Sequence, residues 1–116
     1  MSFAREFITE RESKMKVEAK VYTASYCNYC SRAVEFLEKE GLKVWIVDIT
    51  DNQDERQMLI EKTGMKTVPQ IWIGEAHIGG YERMLRLASL KALEPIILEE
   101  ENKLLKAEIQ RIKRSI

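Results

Sequence analysis

Two cysteines, one histidine and two prolines in 116 residues leave little room for several kinds of chemistry. With Cys27, Cys30 and His77 as the only Cys and His, a closed four-ligand zinc site within one chain would need carboxylates or a second subunit. An excess of one charge is missing too. The 19 Lys and Arg balance 19 Asp and Glu, so the chain lacks the basic surplus that binds nucleic acid through counterion release. No apolar run approaches the ~20 residues needed to cross a bilayer. Residues 1–14, MSFAREFITERESK, have no apolar core of a secretory signal, and Glu6, Glu10 and Glu12 are unlike an acid-poor transit peptide. These absences predict a cytoplasmic protein with no nucleic-acid or membrane partner. In such a reducing compartment a close cysteine pair is catalytic or metal-binding rather than a structural staple.

What is present has a clear order. Val17 to Thr23 alternates apolar Val17, Ala19 and Val21 with polar residues, the pattern of a half-buried strand. It runs into the cysteines, and from Asn28 to Glu40 the positions Ala33, Val34 and Leu37 follow helical spacing until Gly41 offers a left-handed stop. Lys43 to Ile49 is β-branched and suits a strand buried on both faces. Asp51 or Asn52 caps the next helix, which carries Asp54 and Glu55 in its first turn and ends at Thr63-Gly64. A short strand from Val68 to Ile73 with its proline at the start, a turn at Gly74-Glu75 and a strand from Ala76 to Ile78 follow. Gly79-Gly80 then opens a helix from Tyr81 to about Leu93. The order is βαβ then ββα. It predicts an α/β domain with a four-stranded mixed sheet, the first two strands parallel and the last two a hairpin, with helices on both faces.

Residues 16–94 make up this domain, and two extensions flank it. Residues 1–15 contain Phe3, Phe7 and Ile8 among charges, and Thr9 with Glu12 forms a capping box, so they are expected to be helical or disordered. Residues 95–116 are expected to be a helix. Leu98, Asn102, Leu105, Ile109, Ile112 and Ile116 are spaced 4, 3, 4, 3 and 4, a heptad seam. With Asn102 and Ile109 at a, Glu101 and Glu108 fall at g and Lys106 and Lys113 at e, so each acid faces a lysine of a parallel partner. A homo-oligomer through 98–116 is one reading; a helix docked on its own domain is the other.

The chemistry gathers at Cys27. Where a strand hands over to a helix, a sulfur meets unpaired N–H groups and the positive end of the helix dipole, which favours thiolate. A thiolate is what disulfide exchange needs in its attacker, and Cys30, one turn on, is placed to resolve the mixed disulfide. Cys27 is thus the expected nucleophile and Cys30 the resolving thiol.

Three motifs in order, Tyr22-Thr23 before Cys27-Asn28-Tyr29-Cys30, then Thr67-Val68-Pro69-Gln70-Ile71, then His77-Ile78-Gly79-Gly80-Tyr81, resemble the dithiol glutaredoxins of the thioredoxin fold over about residues 16–93. The resemblance implies a thioredoxin-like fold and a groove for glutathione, the reducing cosubstrate. Val68 would give its main chain to the cysteinyl unit, Pro69 would be cis, and the N–H groups of Tyr81 and Glu82 after Gly80 would take the γ-glutamyl carboxylate. Lys66 beside Thr67 would meet the glycyl carboxylate, and Tyr29 would wall the groove. His77 reads as structural. Three positions depart from the family pattern: Asn28 replaces a common proline, Ala24 a common lysine, and Arg83 an acid near the glutathione amine.

The implied activity is reduction of glutathionyl mixed disulfides and protein disulfides, with glutathione and disulfide-bearing proteins as partners and no resident metal. An alternative is carriage of a [2Fe-2S] cluster held with glutathione between two subunits through Cys27. Reduction by a thioredoxin reductase in place of glutathione is a third.

Overall fold

The computed structural model describes residues 5–8 and 15–115. Alternation dictates the central strand. In β2 (Glu18–Thr23), Ala19 and Val21 point to one face and are buried, whereas Tyr22 is buried on the other. Strand β3 (Lys43–Asp48) lies parallel to β2, with Ala19 opposite Val44 and Val21 opposite Ile46. Val44 and Val47 are fully buried on opposite faces, while Trp45 between them is half-buried, its indole N–H donating to Glu18. On the other side of β2, β4 (Gln70–Ile73) runs antiparallel and forms a hairpin with β5 (Ala76–Gly79).

The sheet has five strands, one more than expected. Arg5–Ile8, anticipated as helical or disordered, forms β1, antiparallel to β3 with Arg5 opposite Asp48 and Ile8 opposite Trp45. The order is β1-β3-β2-β4-β5. Without β1 the outer edge of β3 would present a row of unpaired backbone groups, and covering that edge satisfies them. The capping box at Thr9 and Glu12, and Ile116 of the seam, lie outside the described residues.

Helices cover both faces. On one, α1 (Cys30–Lys39) buries Ala33, Val34 and Leu37, and α3 (Tyr81–Ser89) buries Met84, against Val21, Val44, Ile71 and Ile73. On the other, α2 (Gln53–Thr63) sets Leu59 against Tyr22, Val47 and Ile49. Asn52 caps α2, its side chain accepting from the Glu55 N–H at 2.9 Å, and Gly64 at φ 71° ends it.

Helix α3 stops four residues short of the expected Leu93. The Ala92 N–H donates to the Leu87 carbonyl at 2.8 Å and the Lys91 N–H to that of Ala88 at 3.0 Å, with Lys91 left-handed at φ 58°. This is the same six-to-one closure that Gly41 makes after α1, where Leu42 donates to Leu37. At 91 a lysine occupies the glycine's place, so no residue type announced the break.

Helix α4 (Leu93–Ser115) therefore begins inside the domain. Pro95 is accommodated because a first-turn residue needs no intrahelical N–H partner. Leu93 and Ile97 enter the core, and the buried Glu100 carboxylate accepts the Glu75 N–H at 2.8 Å and Lys103 Nζ at 2.8 Å. Lys103 and the Glu75 N–H hold its carboxyl below the usual carboxylate range, outweighing burial. Gly74 makes room, since a Cβ there would come within 2.7 Å of Glu100 Oε1. Glu101 accepts the N–H groups of Lys16 and Val17 at 2.8 and 3.2 Å, and Glu108 pairs with the Lys16 ammonium. The helix is strapped to the hairpin on one side and to the start of β2 on the other.

Candidate functional site

Strand β2 delivers the chain into a tight turn, Ala24 to Cys27, closed by the Cys27 N–H donating to the Ala24 carbonyl at 3.0 Å. Its neighbours pin it. The Ser25 N–H donates to Thr50 Oγ1 at 2.8 Å, and Tyr26 accepts from Arg56 Nη1 at 2.7 Å while the guanidinium lies 5.7 Å from the Tyr26 ring centroid. Ala24 is buried, so the position where the resemblance places a lysine here fills space under the turn. Cys27 and Cys30 are joined by a disulfide, their Cα atoms 5.6 Å apart. Cys27 is half-buried and Cys30 only 5% exposed, so the first cysteine is the more open of the two to solvent and to an incoming disulfide.

Helix α1 starts at Cys30, two residues later than the spacing predicts, with Tyr29 as its cap residue. Asn28 and Tyr29 are exposed and leave the turn before regular bonding begins. The end this presents to Cys27 differs from that of α2. No side chain caps it and its first turn holds no acid, whereas α2 has Asn52, Asp54 and Glu55. Its first N–H groups are available to a negative sulfur, the physical requirement for an acidic thiol.

At Tyr29, between the two cysteines in sequence, lies a groove of about 430 Å³. Tyr29 forms one wall, stacked on Tyr81 with centroids 5.6 Å apart and planes 23° apart. Thr67, Val68 and Pro69 form the opposite wall, with the Val68-Pro69 bond cis, and Gly80, Tyr81 and Glu82 close the end at the start of α3. Seven of the eight residues assigned by resemblance to glutathione thus line one groove. Lys66 does not; it is exposed, and the wall there is Met65, which sequence reasoning missed because nothing distinguishes it from other exposed apolar residues. Arg83 also lines the groove, opposite in charge to Glu82 beside it.

Behind this wall runs a relay that the motifs contained without revealing its role. Fully buried Gln70 donates from Nε2 to the Thr67 carbonyl at 2.9 Å and to Thr67 Oγ1 at 3.2 Å. Its Oε1 is thereby left as acceptor for His77 Nε2 at 2.8 Å, so that ring nitrogen carries the proton. The His77 ring lies 4.5 Å from that of Trp72. Burial, and then the Arg83 charge, lower its pKa from the ordinary histidine value. His77 holds Gln70, and Gln70 holds the loop; this is the structural role expected of it.

A second hollow of about 420 Å³ opens on both cysteines, between α1 and β3, where Ala24, Val34 and Ile46 give an apolar floor and Glu35 and Asp48 an acidic rim. Among the described residues no cluster of three or more His, Cys, Asp or Glu is placed to hold a metal ion, and no helix is long and apolar enough to cross a membrane.

Comparison with known proteins agrees with this geometry. The family model described as Glutaredoxin matches residues 19–78. Glutaredoxin of Pseudomonas aeruginosa is 35% identical over 77 residues, covering 66% of this chain and 92% of that one. Glutaredoxin 3 of Escherichia coli K12 is 35% identical over 78 residues, covering 67% and 94%. Among solved structures, a buckwheat glutaredoxin-glutathione complex superposes with a TM-score of 0.62 at 28% identity over 72% of this chain and 78% of that one. A cysteine pair with its first member half-buried and its second buried, set in this sheet beside a cis-proline loop, is the working part of a thiol-disulfide oxidoreductase, and this chain belongs to the glutaredoxin family.

Proposed function

We propose that the protein is a glutathione-dependent oxidoreductase acting on glutathionyl mixed disulfides and on protein disulfides in the cytoplasm. The observation that carries this reading is that Tyr29, from between the two cysteines, shares one groove with Thr67, Val68, Pro69, Gly80, Tyr81 and Glu82. Glutathione lying along it presents its γ-glutamyl carboxylate to the Tyr81 and Glu82 N–H groups at the start of α3 and its cysteinyl backbone to Val68. Lys66, exposed and next in sequence to the lining residues Met65 and Thr67, supplies a point charge for the glycyl carboxylate.

In the first step the Cys27 thiolate attacks the glutathione sulfur of a mixed disulfide. The substrate leaves as thiolate and takes a proton from water. A second glutathione thiolate attacks the glutathione sulfur held on Cys27, forming glutathione disulfide and returning Cys27 as thiolate. Cys30 takes no part. With an internal protein disulfide, Cys27 forms a mixed disulfide with one substrate sulfur; Cys30 then loses its proton and attacks Cys27, and the substrate departs with both sulfurs reduced. The Cys27–Cys30 bond is the oxidised end of that route, which two glutathiones reopen.

The test is a glutathionyl mixed-disulfide assay coupled to glutathione reductase. Cys27→Ser is expected to lose activity and Cys30→Ser to keep most of it, while reduction of an internal protein disulfide is expected to need both. Activity surviving in Cys27→Ser overturns the roles, and turnover driven by thioredoxin reductase with none from glutathione overturns the choice of reductant.

A further inference from the structure

Helix α4 faces two ways. Leu93, Ile97 and Glu100 lie against the domain, but about 120° further round the helix Leu98, Leu105, Ile109 and Ile112 stand 49%, 38%, 50% and 53% exposed. This second face runs about 21 Å along the axis. From residue 102 to 115 every residue is exposed except the half-buried Glu108. A helix of that length is marginal in water without an apolar face buried against something. The domain supplies no cover for this one.

We propose that the exposed face is a homodimer interface in which two copies of α4 pair in parallel as a short coiled coil. Charge selects both the occupant and its direction. Glu101 and Glu108 border the face on the side nearer the domain, and Lys106 and Lys113 border it on the outer side. A parallel second copy sets Glu101 against the partner's Lys106 and Glu108 against the partner's Lys113. An antiparallel copy sets acid against acid and lysine against lysine. The face is therefore complementary to itself in one orientation.

The fold prepares this edge. Glu101 is fixed by the N–H groups of Lys16 and Val17, and Glu108 by the Lys16 ammonium, so both carboxylates are already held beside the face. Each has acceptor sites left for a lysine from the partner. Asn102, exposed in the middle of the face, pairs with its symmetry mate and favours two strands in one register. Docking and pairing use different faces of one helix, so the two readings of residues 95–116 are compatible.

Sedimentation velocity of the full reduced chain over a wide concentration range tests the proposal, beside Leu105→Glu/Ile109→Glu and Lys113→Glu, none of which touches the active-site groove. The wild type is expected to move from one to two copies as concentration rises, and the double variant to stay monomeric with its oxidoreductase activity intact. Lys113→Glu should weaken dimerisation by about fivefold, from two symmetry-related pairs turned from attractive to repulsive. A wild type that is monomeric throughout, a dimer that survives in the double variant, or a trimer overturns the proposal. Tighter association in Lys113→Glu overturns the parallel arrangement, because it relieves lysine-lysine repulsion only in an antiparallel pair.

Discussion

Ser31 offers a direct test of whether the start of α1 is what makes Cys27 reactive. It is the second residue of the helix, exposed, next to Cys30, and no acid shares its turn. Ser31→Asp puts a full negative charge about 7 Å from the Cys27 sulfur, a separation built from the disulfide partner and one further residue of helix. At that distance Coulomb repulsion of a thiolate is about 0.6 kcal/mol at an effective dielectric of ~80 and about 2.4 kcal/mol at ~20. The thiol pKa should rise by about 0.4 to 1.7 units. The same aspartate meets the helix dipole favourably and should stabilise the fold by about 0.3–1 kcal/mol. The two effects have opposite signs for function: a more stable protein with a less acidic thiol. In a Cys30→Ser background Cys27 is the only thiol, so its alkylation rate against pH by iodoacetamide reports it alone. The parent should titrate below free cysteine, Ser31→Asp above the parent, and uncharged Ser31→Asn close to it. A parent titrating like free cysteine, or an aspartate without effect, refutes the idea that exposed N–H groups at this helix end activate the sulfur.

Other substitutions examine the frame around the site. Lys91→Gly removes a left-handed lysine at φ 58° and should raise stability by about 1 kcal/mol, read as a higher urea midpoint at unchanged slope. Gly79→Ala and Gly80→Ala should differ sharply. The first forces a side chain into φ 106° with Arg83 Cδ at 3.0 Å and should cost at least about 1–2 kcal/mol; the second meets only the Pro69 carbonyl at 3.7 Å and should cost about 0.5 kcal/mol or less. His77, whose pKa burial and Arg83 lower, binds its proton more weakly folded than unfolded. Stability should therefore fall as pH drops below about 6.5, the unfolded value, and the fall between pH 7.5 and 5.5 should be smaller in His77→Gln. An equal fall in both proteins would place the acid sensitivity elsewhere.

How much of this was legible in the sequence depends on whether the deciding force is local. Gly41 and Lys91 make the point, since both close a helix with the same pair of backbone bonds, yet only the glycine advertises it. The break at Lys91 follows from what comes next: Leu93 and Ile97 reach the core only if the chain turns before them. Strand β1 escaped notice for a related reason. Four residues, Arg-Glu-Phe-Ile, carry almost no periodic signal, and what selects strand over helix is the open edge of β3, a partner some forty residues away. The cysteine pair was legible because disulfide exchange needs two thiols at close spacing, whereas the loop motifs drew notice only through their resemblance to the glutaredoxins.

Their supports were less so. Gln70 stood inside a quoted motif, but its bonds to Thr67 and His77 exist only once the cis-proline loop and β5 are side by side. The groove's charged end shows the same division between type and place. Arg83 looked like a lone departure in sequence, yet in the fold it borders the groove beside Glu82, packs its Cδ toward Gly79 and presses on His77 electrostatically. A change at Arg83 therefore cannot act on ligand affinity alone. Arg83→Gln should let the His77 pKa climb back toward its ordinary value, by relief of like-charge repulsion, as well as alter glutathione binding. Following the His77 ring protons by NMR separates the two effects: a changed KM with an unmoved titration would mean that Arg83 speaks only to the groove, and that the relay behind the loop is insulated from it.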